Sequence, residues 1–205
     1  MVGLIEKPQY ITSQWFKDEG DAIVLLGQAV DAEDPLLGLG GSVLLQVEHE
    51  RKQGTPPPCD LTKEKALHDV LLGLIETGVV KSAHDCAEGG FAVAVAECAI
   101  SELTVRQIPR LTGAEIDLSE VFCERVDALL FGEAHGRVII TTSEAEVGAA
   151  VERAKLLGVP AQRIGTVTGD DTLGIKVADG SFTWKLSDLH NKWWNSIASL
   201  MDRDL

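Results

Sequence analysis

Residues 91–100, Phe-Ala-Val-Ala-Val-Ala-Glu-Cys-Ala-Ile, carry one charged side chain, Glu97. Their length suits a helix, and a helix apolar on nearly every side must be buried on most of them. Just before them lie the strand-like run Val79-Val80-Lys81-Ser82-Ala83, the polar cluster His84-Asp85-Cys86-Ala87-Glu88 and the pair Gly89-Gly90. A strand feeding such a helix needs covering elements on more than one side, which is the condition of a layered domain. A chain of 205 residues is about one domain in length and long enough to bury a core of that kind.

The remaining patterning predicts the covering elements. Leu67, Val70, Leu71, Leu74 and Ile75 recur at helical spacing, with Asp60 placed to cap the helix and Gly78 to stop it. Strands are expected over 22–27, 113–118, 138–142, 164–167, 175–177 and 182–185, and a short one over Val2–Ile5. Asp179-Gly180 suggests a type I′ hairpin between the last two. A helix is expected within 119–130. Ser143 and Glu146 form a capping box for another that ends before Gly158. Ser187 is placed to cap a last helix with Trp193, Ile197, Leu200 and Met201 on one face. The expected class is α+β: a layered α/β domain with a mixed sheet flanked by helices. Residues 1–21 read as a lead-in segment that follows something further upstream, and 22–205 as the domain.

Eighteen Lys and Arg against 32 Asp and Glu leave a net charge of −14. That argues against nucleic-acid binding, which needs a basic surface, and against anionic membranes. No run reaches the ~18–20 apolar residues of a spanning helix. Cys59, Cys86, Cys98 and Cys123 form no CxxC and match no zinc spacing. Reduced thiols in a cytoplasmic protein are the expectation.

Three glycine-rich loops carry the candidate chemistry. In the segment 84–90, His84, Asp85, Gly89 and Gly90 lie where a strand ends and a helix begins, so backbone N–H groups and the helix dipole favour an anion. The alternative is a plain glycine turn with His84 and Asp85 bonded locally. Cys86 becomes a nucleophile only if the helix N-terminus lowers its pKa. In Phe131–Arg137, Glu133 and Arg137 either pair with each other or offer Arg137 to a phosphate. In residues 38–42, Gly40, Gly41 and Ser42 form a loop before a helix that Ser42 caps. The chain lacks GxxxxGK[ST] and GxGxxG, and no nucleophile–base set is evident.

VGLIE at 2–6, GDAIVLLG at 20–27, GLGGS at 38–42, KSAHDCAEGGFAVAVAECA at 81–99 and LFGEAHGRVIIT at 130–141 occur in the same order in one family. The chain resembles the C-terminal, AIR-synthase-like domain of phosphoribosylformylglycinamidine synthase over about residues 2–200. The resemblance implies a part of an ATP- and Mg²⁺-dependent ligase of purine biosynthesis, in its small synthetase form, inactive alone. Its partners would be ATP-binding domains of the same polypeptide, a glutaminase subunit that supplies ammonia, and a small accessory subunit. The catalytic residues of that family lie on the ATP-binding domains, so none is carried to this chain. Where the family's first copy usually has Ser-Gln after the loop glutamate, this chain has Ala134-His135, which favours a duplicated, non-catalytic site. Thiamine-monophosphate kinase, selenophosphate synthetase and hydrogenase-maturation proteins share the architecture and stand as alternatives, as does a structural module without ligand. An apolar face left open would also favour a dimer of this chain.

Overall fold

A computed structural model describes residues 4–5, 7–102 and 108–201. After a single 3₁₀ turn at Pro8–Tyr10 the elements run β1 (Ala22–Leu26), α1 (Val43–His49), α2 (Leu61–Glu76), β2 (Ser82–Asp85), α3 (Gly90–Ile100), β3 (Gly113–Asp117), α4 (Val126–Phe131), β4 (Val138–Thr142), α5 (Val147–Leu156), β5 (Ala161–Thr168), β6 (Thr172–Val177), β7 (Gly180–Lys185), α6 (Leu186–Trp194) and α7 (Ser196–Met201). The strands form one sheet in the order β2-β4-β1-β5-β3-β6-β7. β3 and β6 run parallel, and the other pairs antiparallel. The expected mixed sheet flanked by helices is therefore present.

Alternation along β1 divides the core. Ile23 and Leu25 join Ile139, Ile116 and Ile175 beneath α3, α4 and α6. Val24 and Leu26 join Val138 and Ile140 beneath α2 and α5. Burying β1 on both faces explains its unbroken apolar run. Over β3 and β6 the second face is open, and Glu115, Asp117 and Lys176 point to solvent there. α3 meets the expectation set by its composition: Phe91, Ala92, Ala94, Val95, Cys98, Ala99 and Ile100 are all buried.

Several boundaries move. β2 begins at Ser82 rather than Val79, because Val79 N–H closes the end of α2 on Leu74 O at 3.2 Å. Leu4 and Ile5 lie in no strand, and Val2 and Gly3 fall outside the described residues. Further along the lead-in, Ser13 bridges to Ser82 and Phe16 is wholly buried. The β6–β7 hairpin turns at Ala178-Asp179, with Val177 paired to Gly180. Neither turn residue has positive φ, so the turn is not the expected type I′. Ser143 Oγ bonds Glu146 Oε2 at 3.2 Å in a turn that precedes α5 instead of capping it. Ser187 lies inside α6, where its N–H and Oγ both donate to Asp171 at 3.2 Å. The last helix is divided at Asn195.

Lys81 fastens the lead-in to the sheet, donating to Asp21 Oδ1 at 2.6 Å and Asp18 Oδ2 at 2.9 Å. Asp21 is only 3% exposed, so Lys81→Met leaves a buried carboxylate short of a partner. A loss of about 1–3 kcal/mol is expected in urea unfolding. The bonds to Asp21 and Asp18 raise the Lys81 pKa above 10.5, and the bond to Lys81 lowers that of Asp18 below 3.8. The lysine's contribution is full below its unfolded value and is lost as pH rises through the raised one. That of Asp18 is full above its unfolded value and is lost as pH falls through the lowered one. The difference between wild type and Lys81→Met should therefore be largest between these limits and shrink beyond either.

Candidate functional site

The three glycine loops, far apart in sequence, converge on one carboxylate. Glu133 Oε1 accepts from Val43 N–H at 2.8 Å and from Gly89 N–H at 2.9 Å. Val43 is the first residue of α1 and Gly89 the N-cap of α3. Both amides belong to the set that a helix start leaves without an intrahelical acceptor. The Glu133 N–H in turn donates to Gly38 O at 2.8 Å.

Two glycines make the approach possible. Gly90 has φ +70°, and a Cβ there would lie 2.6 Å from Gly132 O and 2.9 Å from Phe131 Cα. Gly38 has φ +81°, and its Cβ would lie 2.9 Å from the N atoms of Glu133 and Ala134. Positive φ and backbone contact together admit only glycine. Gly40 and Gly41 are held by the returning chain: Gly41 N–H donates to Gln53 O at 2.9 Å, and a Cβ on Gly40 would strike Thr55 O. Ser42 caps α1 as expected, accepting from Leu45 N–H at 3.4 Å while donating to Leu39 O at 2.8 Å.

Arg137 is 4% exposed. Its guanidinium donates to Ala29 O at 3.2 Å, to Ala134 O at 3.3 Å and to Gly132 O. Burial draws its pKa below the ordinary arginine value, while Cys86 and Glu133 act in the opposite sense. It tethers the loop after β1 to the loop before β4. His84 and Asp85 remain within reach of each other although adjacent residues of a strand point to opposite faces. His84 Nε2 lies 2.7 Å from Glu97 Oε2 on α3 and its Nδ1 3.6 Å from Asp85 Oδ1, while Asp85 is exposed.

Burial pushes the Cys86 thiol up to about 11, with Arg137 opposing the shift only in part. A thiol 5% exposed, with its pKa raised by burial, argues against the nucleophile reading.

A cleft of about 360 Å³ opens beside these loops, lined by Glu64, His68, Asp85, Glu88, Glu133 and His135 among others. It adjoins a hollow of about 250 Å³ through Glu64 and His135. The visible charge is mostly acidic. Among the described residues no group of three or more His, Cys, Asp or Glu is arranged to hold a metal ion.

Three structural residues escaped the sequence reading. Asp34, 3% exposed, accepts from Gly38 N–H at 2.7 Å and Leu36 N–H at 3.0 Å and so shapes the first glycine loop. Glu97 pairs with His84. Its standing as the one charge in an apolar helix was the available signal, although its side chain is only partly buried, at 29% exposed. The Ala29 carbonyl that receives Arg137 gave no signal.

A family model described as "AIR synthase related protein, C-terminal domain" matches residues 18–178. The chain belongs to this family. Its whole length aligns with phosphoribosylformylglycinamidine synthase subunit PurL of Anaeromyxobacter dehalogenans, at 34% identity over 206 residues and 26% of the relative's length. The same subunit of Synechococcus elongatus is 36% identical over 210 residues, again with 100% of this chain and 26% of the relative covered. The chain thus spans about a quarter of the curated relatives it matches. Among solved structures, Thermotoga maritima PurL complexed with FGAR shares the fold with TM-score 0.70 and 20% identity, over 89% of this chain and 30% of that one. Escherichia coli HypE does so at TM-score 0.56 and 17% identity, over 85% of this chain and 52% of that one. In this AIR synthase related domain the glycine loops build one junction. No helix among the described residues is long and apolar enough to cross a membrane.

Two measurements check this reading of the junction. Cys59 is exposed and Cys86 buried, so a thiol reagent at pH 7.5 should label Cys59 at least ~100-fold faster. Arg137→Met should cost about 2–3 kcal/mol in urea unfolding, because buried carbonyls lose their donor.

Proposed function

We propose that this chain is the C-terminal domain of the ATP-dependent ligase that converts formylglycinamide ribonucleotide and ammonia to formylglycinamidine ribonucleotide in purine biosynthesis. The whole-length identity of 34–36% with PurL subunits supports this. The observation that carries it is the convergence of the loops at 38–42, 89–90 and 132–137 on Glu133. In this reading Gly40, Gly41, Ser42, Gly89 and Gly90 form one wall of a phosphate- or ribonucleotide-binding region, with His84 and Asp85 at its flank. Glu133 and Arg137 hold the wall in shape.

ATP in the intact ligase supplies phosphorylation of the formyl amide oxygen, which makes phosphate the leaving group for ammonia. The residues present here do not fit a nucleotide-phosphate or Mg²⁺ site of their own. The amides of Val43 and Gly89 are bonded to Glu133, Arg137 is bonded to carbonyls, and among the described residues no group of three or more His, Cys, Asp or Glu is arranged to hold a metal ion. Nucleotide and metal are therefore assigned to the ATP-binding domains of the same polypeptide, and ammonia to a glutaminase subunit assembled with a small accessory subunit in the cytoplasm. In this reading the chain binds and orients.

The test is to express the longer polypeptide that joins this chain to ATP-binding domains and assay amidination with ATP and ammonium. Activity is expected from the joined protein and none from residues 1–205 alone. Gly90→Val in the joined protein should lower kcat/KM tenfold or more, since its side chain collides with Phe131 and Gly132. Absence of ATP- and ammonia-dependent amidination from the wild-type joined protein would overturn the assignment.

A further inference from the structure

We propose that residues 12–21 of the lead-in form a releasable strap that sets the position of the loop His84–Gly90, with Phe16 as the positioning residue through which it acts. β2 lies at one end of the sheet, and among the described strands it pairs with β4 alone. The strap runs along its free side. Ser13 bridges to Ser82 in parallel, and Ser13 O accepts from Ala83 N–H at 3.1 Å. Three residues on, Phe16 N–H donates to Cys98 O at 2.9 Å. Between them, Gln14 Nε2 donates to Ser101 Oγ at 3.1 Å. One short segment therefore holds an edge strand and the C-terminal end of α3 at once.

The residues that it holds flank a contact. Ala83 precedes His84 and Cys98 follows Glu97, and His84 Nε2 lies 2.7 Å from Glu97 Oε2. β2, the loop and α3 thus form an arch with two fixings. At its foot the strap joins Ala83 to Cys98. At its crown Glu133 accepts from Gly89 N–H at 2.9 Å. The Phe16 side chain is wholly buried and shares one core cluster with Cys86 of the loop and Phe91, Val95 and Cys98 of α3. It is the apolar contact by which the foot of the arch reaches the loop.

The strap is built to let go. Its residues belong to no helix or strand, and from Thr12 to Asp21 only Phe16 and Asp21 are buried. Segments with few buried apolar contacts are those that open locally while the rest of a domain stays folded. Apart from Phe16, the side-chain anchors are the bonds of Asp18 and Asp21 to Lys81. Packed interiors hold discrete arrangements and do not deform continuously. With the phenyl ring withdrawn, α3 settles toward the vacated space and draws Gly89 away from Glu133. Whatever takes hold of the lead-in then acts on the glycine junction.

Amide hydrogen exchange of Gly89 and Val43, read as a ratio in the 205-residue chain, tests the proposal. Both amides donate to the same carboxylate oxygen, so a loss of global stability or of Glu133 speeds both and leaves their ratio unchanged. In Phe16→Ala the ratio of Gly89 to Val43 exchange should rise by about tenfold or more, because only the Gly89 side of the junction is joined to the strap. Ala83 should accelerate with Gly89. Should Phe16→Ala fail to fold, Lys81→Met removes the other anchor and should raise the same ratio by about threefold or more. An unchanged ratio in the variant that folds overturns the proposal. So does acceleration confined to Ala83, which would make the strap a local contact without reach to the loop.

Discussion

Glu133 Oε1 sits between two helix starts that are 46 residues apart in the chain, at Val43 and Gly89, and accepts an N–H from each. Each start would otherwise present amides without acceptors to the cleft. A fixed carboxylate answers that need and the dipoles of the two helices together, the stabilisation being up to ~2 kcal/mol per helix in favourable geometry. The rest of the junction serves this placement. Gly38 and Gly90 let the backbones close around residues 131–134, Asp34 shapes the first loop, and Arg137 fixes the loop that carries Glu133 by binding three of its neighbours' carbonyls. A Cβ at either glycine forces the loops apart, and with them the carboxylate.

The same contact gives the net charge of −14 a local meaning. Glycine-loop amides and a buried arginine are the features by which an acidic chain holds an anion. Here both are present and both are satisfied internally, the amides by Glu133 and the guanidinium by carbonyls. The cleft beside them is lined with further carboxylates. That arrangement suits a wall that positions its neighbours better than a site that captures phosphate alone, and it agrees with a chain that spans a quarter of its relatives.

Local rules made much of the fold legible. Asp60 caps α2 by accepting from Thr62 and Lys63, Gly78 follows α2 with φ +75°, and α3 is buried as its composition demands. Failures came where a partner distant in sequence decides the outcome. Ser187 reads as a cap, but Asp171, sixteen residues earlier, takes that role from outside the helix. Asp179-Gly180 reads as a turn, but the register of β6 and β7 moves the turn back by one residue. At the candidate site the residue types were visible and their partners were not. Glu133 and Arg137 read either as a pair or as an arginine offered to a phosphate; instead Glu133 bonds backbone on the two other loops, and Arg137 bonds backbone of its own loop and of the loop after β1. Such contacts depend on the meeting of three loops, which no spacing within one loop records.

Amide hydrogen exchange at Val43 and Gly89 tests most directly whether Glu133 is the tie among the loops. Both amides should be protected in the wild-type chain, although Val43 is exposed at a helix start. In Glu133→Ala both should lose protection together, by about tenfold or more, while amides within α3 keep theirs. If Val43 or Gly89 exchanges at the same rate with and without the Glu133 carboxylate, the loops are held by something else and the central role given to Glu133 is wrong.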